Sequence, residues 1–348
     1  MRISLVIRTL NESTYLPALL QGVQRQRLPA GWTVECVLVD SGSTDGTVQI
    51  AQRFGCRIHT IRREEFSFGR SLNLGCEAAA GDILVFVSGH CVPTDEHWLA
   101  RLCEPIATSR ADYTYGRQIG GPTSRYSETR IFAKYFPGRS SVPQQGYYCN
   151  NANSALARST WSLYRFNEEL TGLEDMELAR RLVEDGGLVG YVAEACVHHH
   201  HQESWAQVRR RFEREAIALR RIMPQVHVGL WDTVRYIASS VWLDLRRARR
   251  EGQALRQLPG IVRYRWEQYL GAWRGHHQHR KLSRQEKEHY FFPDLVITKD
   301  LSHDEIQERR LAAHEGQQRA GARQELSRVL RQTAVPVDVG HPAGGPRD

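Results

Sequence analysis

Over the first 110 residues, short apolar runs rich in β-branched side chains alternate with longer stretches whose apolar positions recur every three to four residues. Residues 3–9, 34–40, 57–61 and 83–88 read as strands, and 12–25, 47–54, 71–80 and 96–107 as helices. Val37-Leu38-Val39 before Asp40, and Ile83 to Val87 before Ser88, are apolar at successive positions, the form of a strand buried on both faces. Such βαβα alternation predicts an α/β fold, Rossmann-like, with a mostly parallel sheet and helices on both faces. From 120 to 150 the pattern loosens into Gly, Pro, Ser and aromatic residues and predicts a long irregular stretch beside a cleft. Regular structure is predicted to resume at 154–158, with a helix over 173–184 and a last strand pair around 188–199.

After His201 the pattern turns helical and amphipathic. In 232–250, Val234, Ile237, Val241 and Leu245 form one stripe flanked by Ala238 and Trp242, with Arg246, Arg247, Arg249 and Arg250 in the final turn. Pro259-Gly260 predicts a break before a second helix over 261–274. Beyond about 302 the chain is charged, then Pro/Gly-rich from 336, which predicts partial disorder. The expected organisation is an α/β domain over 1–203, a basic amphipathic helical extension over 204–301 and a charged tail over 302–348.

Charge sharpens that division. The net +8 is uneven: 204–282 carries 17 Lys and Arg against 6 Asp and Glu, which is +11 and leaves −3 elsewhere. Trp205, Trp231, Trp242, Trp266 and Trp273 share that region, so it is basic and aromatic at once. Without a zinc-finger or RNA-binding signature, an anionic membrane surface is the preferred partner and nucleic acid is not expected. A solvated basic face with tryptophans packed on the core stands as the other reading. The first strand is too short and too interrupted by Arg8 for a signal segment, and no window reaches a spanning length of about 18 apolar residues. Seven scattered cysteines without a C-x-x-C pair suggest reduced thiols rather than a disulfide framework. The expected location is cytoplasmic, peripheral on the inner face of the plasma membrane.

The chemistry begins at Asp40, where an apolar strand stops on an acid and a Ser-Gly-Ser-Thr-Asp-Gly-Thr turn opens a helix. At the carboxyl edge of an open α/β sheet, strand ends and helix amino termini converge on ligands. The segment resembles the nucleotide-sugar signature of inverting glycosyltransferases of family 2, which have a GT-A fold. Thr9-Leu10-Asn11-Glu12 is similar to that family's loop at the nucleotide base and ribose. The resemblance implies donor contacts from Thr9, Asn11, Glu12, Asp40, Ser41 and Asp45 to a UDP- or dTDP-sugar. Asn11 or Ser13 as a plain helix cap is the competing reading. Phe66-Ser67-Phe68-Gly69-Arg70-Ser71-Leu72-Asn73-Leu74-Gly75 resembles a segment of the rhamnosyltransferase-like branch, and implies Arg70 and Asn73 near the diphosphate; Leu72 stands where that branch often has Arg.

After the fourth strand the family has Asp-x-Asp, whose second acid binds a divalent cation on the donor phosphates; this chain has Ser88-Gly89-His90. A neutral imidazole can replace a carboxylate as ligand to Mn²⁺ or Mg²⁺, so His90 is one candidate metal ligand. His198 to His201 come off the last strand, where alternate side chains share a face; the family pattern falls on His199 and His201. Phe166 to Asp175 resembles the family segment that ends in Glu-Asp. Asp175 is the implied catalytic base, kept ionised by the helix amino terminus, and Glu174 fits a capping box with Thr171. Asn151, Asn153, Trp161 and Glu174 fall on the acceptor side, with a glycan or a polyprenyl- or lipid-linked glycan as the implied acceptor. The implied activity is inverting transfer of a sugar, with rhamnosyl transfer the leaning of the branch, in cell-surface polysaccharide synthesis. The alternative is a metal-independent or impaired relative that acts as a donor-binding or membrane adaptor. A sugar-phosphate nucleotidyltransferase should carry a Gly-rich basic loop after the first strand, and Thr9 to Glu12 is not one.

Overall fold

A computed structural model describes residues 1–278, which lie in one compact unit. The expected tail over 302–348 and the end of the extension, 279–301, fall outside the described residues. The elements are β1 (Arg2–Thr9), α1 (Leu16–Gln24), β2 (Thr33–Asp40), α2 (Thr47–Arg53), β3 (Arg57–Thr60), α3 (Phe68–Ala78), β4 (Ile83–Ser88), β5 (Cys91–Pro93) and α4 (Trp98–Ala107). They continue with β6 (Tyr113–Gly120), α5 (Tyr126–Tyr135), β7 (Asn153–Ala157), α6 (Arg158–Tyr164), α7 (Glu174–Glu184) and β8 (Val189–His199). Three helices follow: α8 (Trp205–Ile222), α9 (Leu230–Arg250) and α10 (Ala254–His277).

One sheet of 8 strands runs in the order β3-β2-β1-β4-β7-β6-β8-β5. The first four strands are parallel, as the βαβα pattern requires; β7 and β5 run antiparallel to their neighbours, while β6 and β8 pair parallel. Both faces are covered. Ile3, Leu5, Ile7, Val85 and Val87 pack on one side with Leu16, Leu19, Trp98 and Leu102, whereas Val6, Leu84 and Phe86 pack on the other with Leu72, Phe166 and Leu178. That alternation explains why these strands read as unbroken apolar runs.

The structure departs from the sequence expectations at several elements. α1 starts at Leu16, four residues late, because Pro17 fits only a first turn. α3 starts at Phe68, three residues early, because Ser67 caps it by accepting from the Arg70 N–H at 3.1 Å. The stretch expected to be irregular holds α5, whose Ser127 hydroxyl donates to buried Asp244 at 2.7 Å. The expected last strand pair is one 11-residue strand, β8, bordered by β6 and β5. α10 runs through Pro259 without the expected break. Its start is exposed, with Leu255 at 89%, so the carbonyl freed by the proline lies where water reaches it. The real break falls at Gly252, whose φ of +70° is left-handed.

The C-terminal helices form a layer of their own against the α/β unit. α10 crosses α8 at close range: a Cβ at Gly271 would lie 2.4 Å from the Arg209 carbonyl oxygen, and one at Gly275 2.1 Å from that of Glu213. Buried Arg265 donates to both oxygens of Asp244 at 2.8 and 3.1 Å, and Asp244 in turn accepts from Ser127 on α5. α9 buries Thr233, Asp244 and Ala248; of its apolar stripe Ile237, Val241 and Leu245 are half-buried, and Val234 is exposed. Trp231 is 84%, Trp242 57% and Trp266 51% exposed, which removes these three from any packed-tryptophan reading. Among the described residues no helix is long and apolar enough to cross a membrane.

Candidate active site

Parallel register sets the carboxyl edge. Thr9 pairs with Asp40 and Arg8 with Ser88, so the loops after β1, β2 and β4 leave the sheet side by side. Asp40, 2% exposed, ties the first two together: its carboxylate accepts from Thr9 Oγ1 at 2.9 Å, Ser43 Oγ at 2.5 Å, and the N–H groups of Gly42 and Ser43 at 3.0 and 2.8 Å. Asn11, in the left-handed region at φ 57°, accepts from the Thr44 N–H at 2.9 Å. Ser41 Oγ donates to the Thr9 carbonyl at 3.1 Å. Asp45 accepts from the Ser13 N–H at 3.0 Å and from Thr47 Oγ1 at 2.6 Å. Those bonds hold its acid down to about 2 against the cost of desolvation. Thr9, Asn11, Asp40, Ser41 and Asp45 therefore share one polar loop cluster whose side chains are largely satisfied by one another.

The loop after β4 is where the sheet is most unusual. β5 starts one residue after His90 and pairs antiparallel with β8, with Cys91 opposite His199, so the ladder register brings the two histidines together. His90 Nε2 lies 3.1 Å from His199 Nε2, and the His199 and His201 rings are 4.1 Å apart between centroids. The spacing argument on the extended strand holds, since His199 and His201 share this face while His198 and His200 turn the other way, 6.1 Å apart. One nitrogen from each of His90, His199 and His201 falls within 4.8 Å of the other two. Burial, followed by the neighbouring His201 and His90, holds His199 well below the usual imidazole range, so it is a neutral ligand-type ring. Gly89 is a steric necessity here, because a Cβ would lie 2.8 Å from Glu12 Cγ. Glu12 uses that space to contact His90 Nδ1 at 2.7 Å, which draws it toward the histidines.

Residues that the sequence did not single out complete the cluster. Gln118 on β6 meets His199 Nδ1 at 2.7 Å, and Glu128 on α5 meets His201 Nδ1 at 2.7 Å. Arg211 on α8 donates to Glu203 at 2.8 Å and Glu128 at 3.3 Å, so α8 reaches the rim of the site. Nothing in the local pattern marked Gln118, and Glu128 lay in a segment read as irregular; only the β6–β8 register and the fold of α5 bring them in.

The Glu174-Asp175 pair opens α7. The expected capping box does not form: Leu173 is the left-handed N-cap, and Thr171 Oγ1 donates instead to the Arg214 carbonyl at 2.8 Å. Glu174 is buried, 3.6 Å from Arg8 Nη1. Asp175 accepts from the Asn151 N–H and from its own helix at Met176, both at 2.8 Å. Ser88 in turn donates to Ala152 O at 3.3 Å, so the 151–152 turn bridges Asp175 to the histidine loop. The expectation that the helix terminus keeps this acid fully ionised is corrected. Burial and then the Glu174 charge outweigh its two N–H donors and raise Asp175 to about 7.

Four other residues sit deeper than expected. Asn73 is 3% exposed and uses both amide hydrogens, on Phe166 O and Glu168, and its oxygen, toward Trp161 Nε1 and the Phe166 N–H. It has no polar atom left for a phosphate. Trp161 packs in the core around Phe86 and Leu178. Asn153, fully buried, accepts from Trp98 Nε1 and donates to Arg117 and Ala195 carbonyls, which pins β7 to its neighbours. Asn151 is 2% exposed and accepts from Tyr113 and Ser154, but its Nδ2 is buried without a partner. Arg70 supplies its N–H to the Ser67 cap, and its guanidinium lies 3.9 Å from Glu65.

A parallel four-strand half-sheet with its polar loops and an acid pair at the carboxyl edge is the arrangement of a GT-A fold. The chain is a glycosyltransferase, and over residues 4–161 it matches the family model described as glycosyl transferase family 2. It is 25% identical over 215 residues to the O-antigen chain rhamnosyltransferase RfbN of Salmonella typhimurium, a match covering 58% of this chain and 67% of the relative. The O-antigen chain rhamnosyltransferase WbaN of Salmonella anatum is 26% identical over 180 residues, covering 48% of this chain and 56% of its own length. In structure the chain resembles the mannosyltransferase PcManGT from Pyrobaculum calidifontis, solved with GDP-Man and Mn²⁺. That likeness has a TM-score of 0.53 over 78% of this chain and 86% of the other at 16% identity, which speaks for the fold.

Proposed function

We propose that this glycosyltransferase moves a sugar from a UDP- or dTDP-linked donor, with inversion, to a hydroxyl of a glycan or lipid-linked glycan. The observation that carries the reading is the meeting of loops 88–90, 150–152 and 174–175 with the histidine strand at one sheet edge. Glu12 and the Asp40 loop would receive the nucleoside. Asp175 would accept the proton of the acceptor hydroxyl, and the freed oxygen would attack the anomeric carbon from the face opposite the departing nucleoside diphosphate. One carboxylate in that role, with no second nucleophile, gives an inverted product. A group raised to about 7 suits proton abstraction near neutral pH, being both available as base and strong enough to act. His90, His199 and His201 have the donor set for a divalent ion, which when bound would neutralise charge on the leaving diphosphate. Rhamnose is the preferred sugar because the two Salmonella relatives are named as rhamnosyltransferases.

We further read the helices from residue 204 onward as the part that meets the acceptor's surroundings. Exposed Trp242 lies beside Arg246, and Trp231, Trp266, Arg249 and Arg250 are exposed on the same two helices, an apolar and cationic combination that fits an anionic lipid surface. The test of the function is a thermal-shift screen of UDP- and dTDP-sugars with and without Mn²⁺, followed by product analysis with the donor that binds. Selective stabilisation by one nucleotide class supports the reading through mass action, and no shift with any nucleotide overturns it.

A further inference from the structure

Each ring of the histidine cluster is held at the same atom. His90 Nδ1 faces Glu12 Oε1, His199 Nδ1 faces Gln118 Oε1, and His201 Nδ1 faces Glu128 Oε1, each at 2.7 Å. The orientation of Gln118 is independently set, because its amide nitrogen donates to Asn150 Oδ1 at 2.9 Å. An acceptor at Nδ1 favours the tautomer with the ring proton there, in which Nε2 keeps its lone pair. Yet His90 Nε2 and His199 Nε2 point at each other across 3.1 Å. Two lone pairs repel at that distance, and a cation shared between them removes the conflict. The three-acceptor shell is the arrangement that orients imidazoles and raises their basicity toward a metal.

The donor set also discriminates among metals. It is three imidazole nitrogens; Glu12 and Glu128 each have an oxygen on a ring Nδ1, Glu128 and Glu203 also accept from Arg211, and Ser88 stands where an acid would have offered oxygen. Mg²⁺ prefers oxygen and gives up water reluctantly, whereas imidazole suits the later first-row ions, with Mn²⁺ the weakest binder of that series. Resting on the metal role proposed above, we infer that this centre takes a nitrogen-preferring transition ion of the Zn²⁺, Co²⁺ or Ni²⁺ kind in preference to Mg²⁺, with Glu12, Gln118 and Glu128 as positioning residues.

Cobalt titration of the full chain, followed by visible absorption, tests this directly. One equivalent of Co²⁺ should give a ligand-field band that Zn²⁺ displaces and a large excess of Mg²⁺ does not. His90→Ala and His199→Ala should abolish the band. Gln118→Leu should weaken Co²⁺ binding by about 10- to 100-fold, and Gln118→Glu, which restores an acceptor, should recover it. Circular dichroism of the metal-free variants separates this from misfolding, since a purely structural Gln118 would leave cobalt affinity unchanged. The inference is overturned if Mg²⁺ displaces Co²⁺ at comparable concentration, if the band survives loss of His199, or if no ion binds because a proton alone is shared between the rings. A parallel nucleotide thermal shift, run with and without metal, keeps the two readings apart. Cobalt binding with no nucleotide response sinks the transferase donor assignment alone, and the converse sinks this inference alone.

Discussion

Asp175 and Glu174 are adjacent in the chain and have different surroundings. Asp175 has two N–H donors and, among the described residues, no cationic partner within hydrogen-bonding reach, while Glu174 faces Arg8. Because the Glu174 charge is the second cause of the raised Asp175 pKa, Glu174→Gln should move the acidic limb of the kcat/KM profile from near 7 to lower pH. A limb that stays in place or moves up would show that the coupling is not what raises it. Asp175→Asn should lower kcat by about 10²- to 10⁴-fold, measured at saturating donor. The same group links stability to pH. Its folded pKa lies above the unfolded value, so its contribution is full below about 4 and is lost as pH rises through about 7. The melting temperature of Asp175→Asn relative to the natural chain should therefore be higher at pH 8 than at pH 5. That His199 and His201 share a face was legible from strand spacing, whereas His90 and Asp175 were singled out through the family resemblance. The pKa of Asp175 was not legible, because burial is a property of the folded surroundings. Asn73, expected near the diphosphate, and Asn153 and Trp161, expected on the acceptor side, are instead taken up by interior hydrogen bonds and packing, which no local pattern announces.

Among the elements, strands were read closely because both of their faces are buried and every position carries the signal. Helix ends depended on single residues, Pro17 for α1 and Ser67 for α3. α5 was invisible because its sequence, Tyr126 to Tyr135, has only Ser127, Glu128 and Phe132 buried, and two of those are polar. Its helical state is supported by contacts to Asp244 and Arg211 from helices more than 80 residues away. The α8–α10 crossing is a comparable tertiary device. Gly275→Ala should cost about 1–3 kcal/mol, read as a drop in urea midpoint with an unchanged slope, because its Cβ would meet the Glu213 carbonyl at 2.1 Å. Gly89→Ala acts on a loop rather than a helix pair. It should push Glu12 off His90 and weaken metal binding by about 10- to 100-fold, measured by the same cobalt titration, with little change in melting temperature.

For the whole molecule, the exposed face of α9 and α10 makes the clearest prediction. Arg246, Arg249 and Arg250 are exposed on the side of α9 that carries Trp231 and Trp242, and Arg246 stacks 5.3 Å from the Trp242 ring centre. Replacing the three arginines with Gln should cost about 3 kcal/mol of binding to anionic vesicles, roughly a hundredfold in partitioning, with no effect on neutral vesicles. Undiminished binding of the variant to anionic vesicles would remove the lipid reading, and a shift to dimers at high concentration would point to a second copy on that face. The sequence by itself determined the βαβα order, the polar loop at Asp40, the pairing of His199 with His201 along a strand, and the basic aromatic character of the C-terminal helices. Those features depend on backbone periodicity and residue type, which neighbours along the chain set. Only the tertiary structure decided that His90 meets His199, that Glu12, Gln118 and Glu128 claim the three Nδ1 atoms, and that Asp175 is half-titrated near neutral pH. It also decided that Val234 and Trp242 of α9 face outward while Ile237, Val241 and Leu245 are half-buried. Each of these depends on groups tens to more than a hundred residues apart, brought together by strand register and packing.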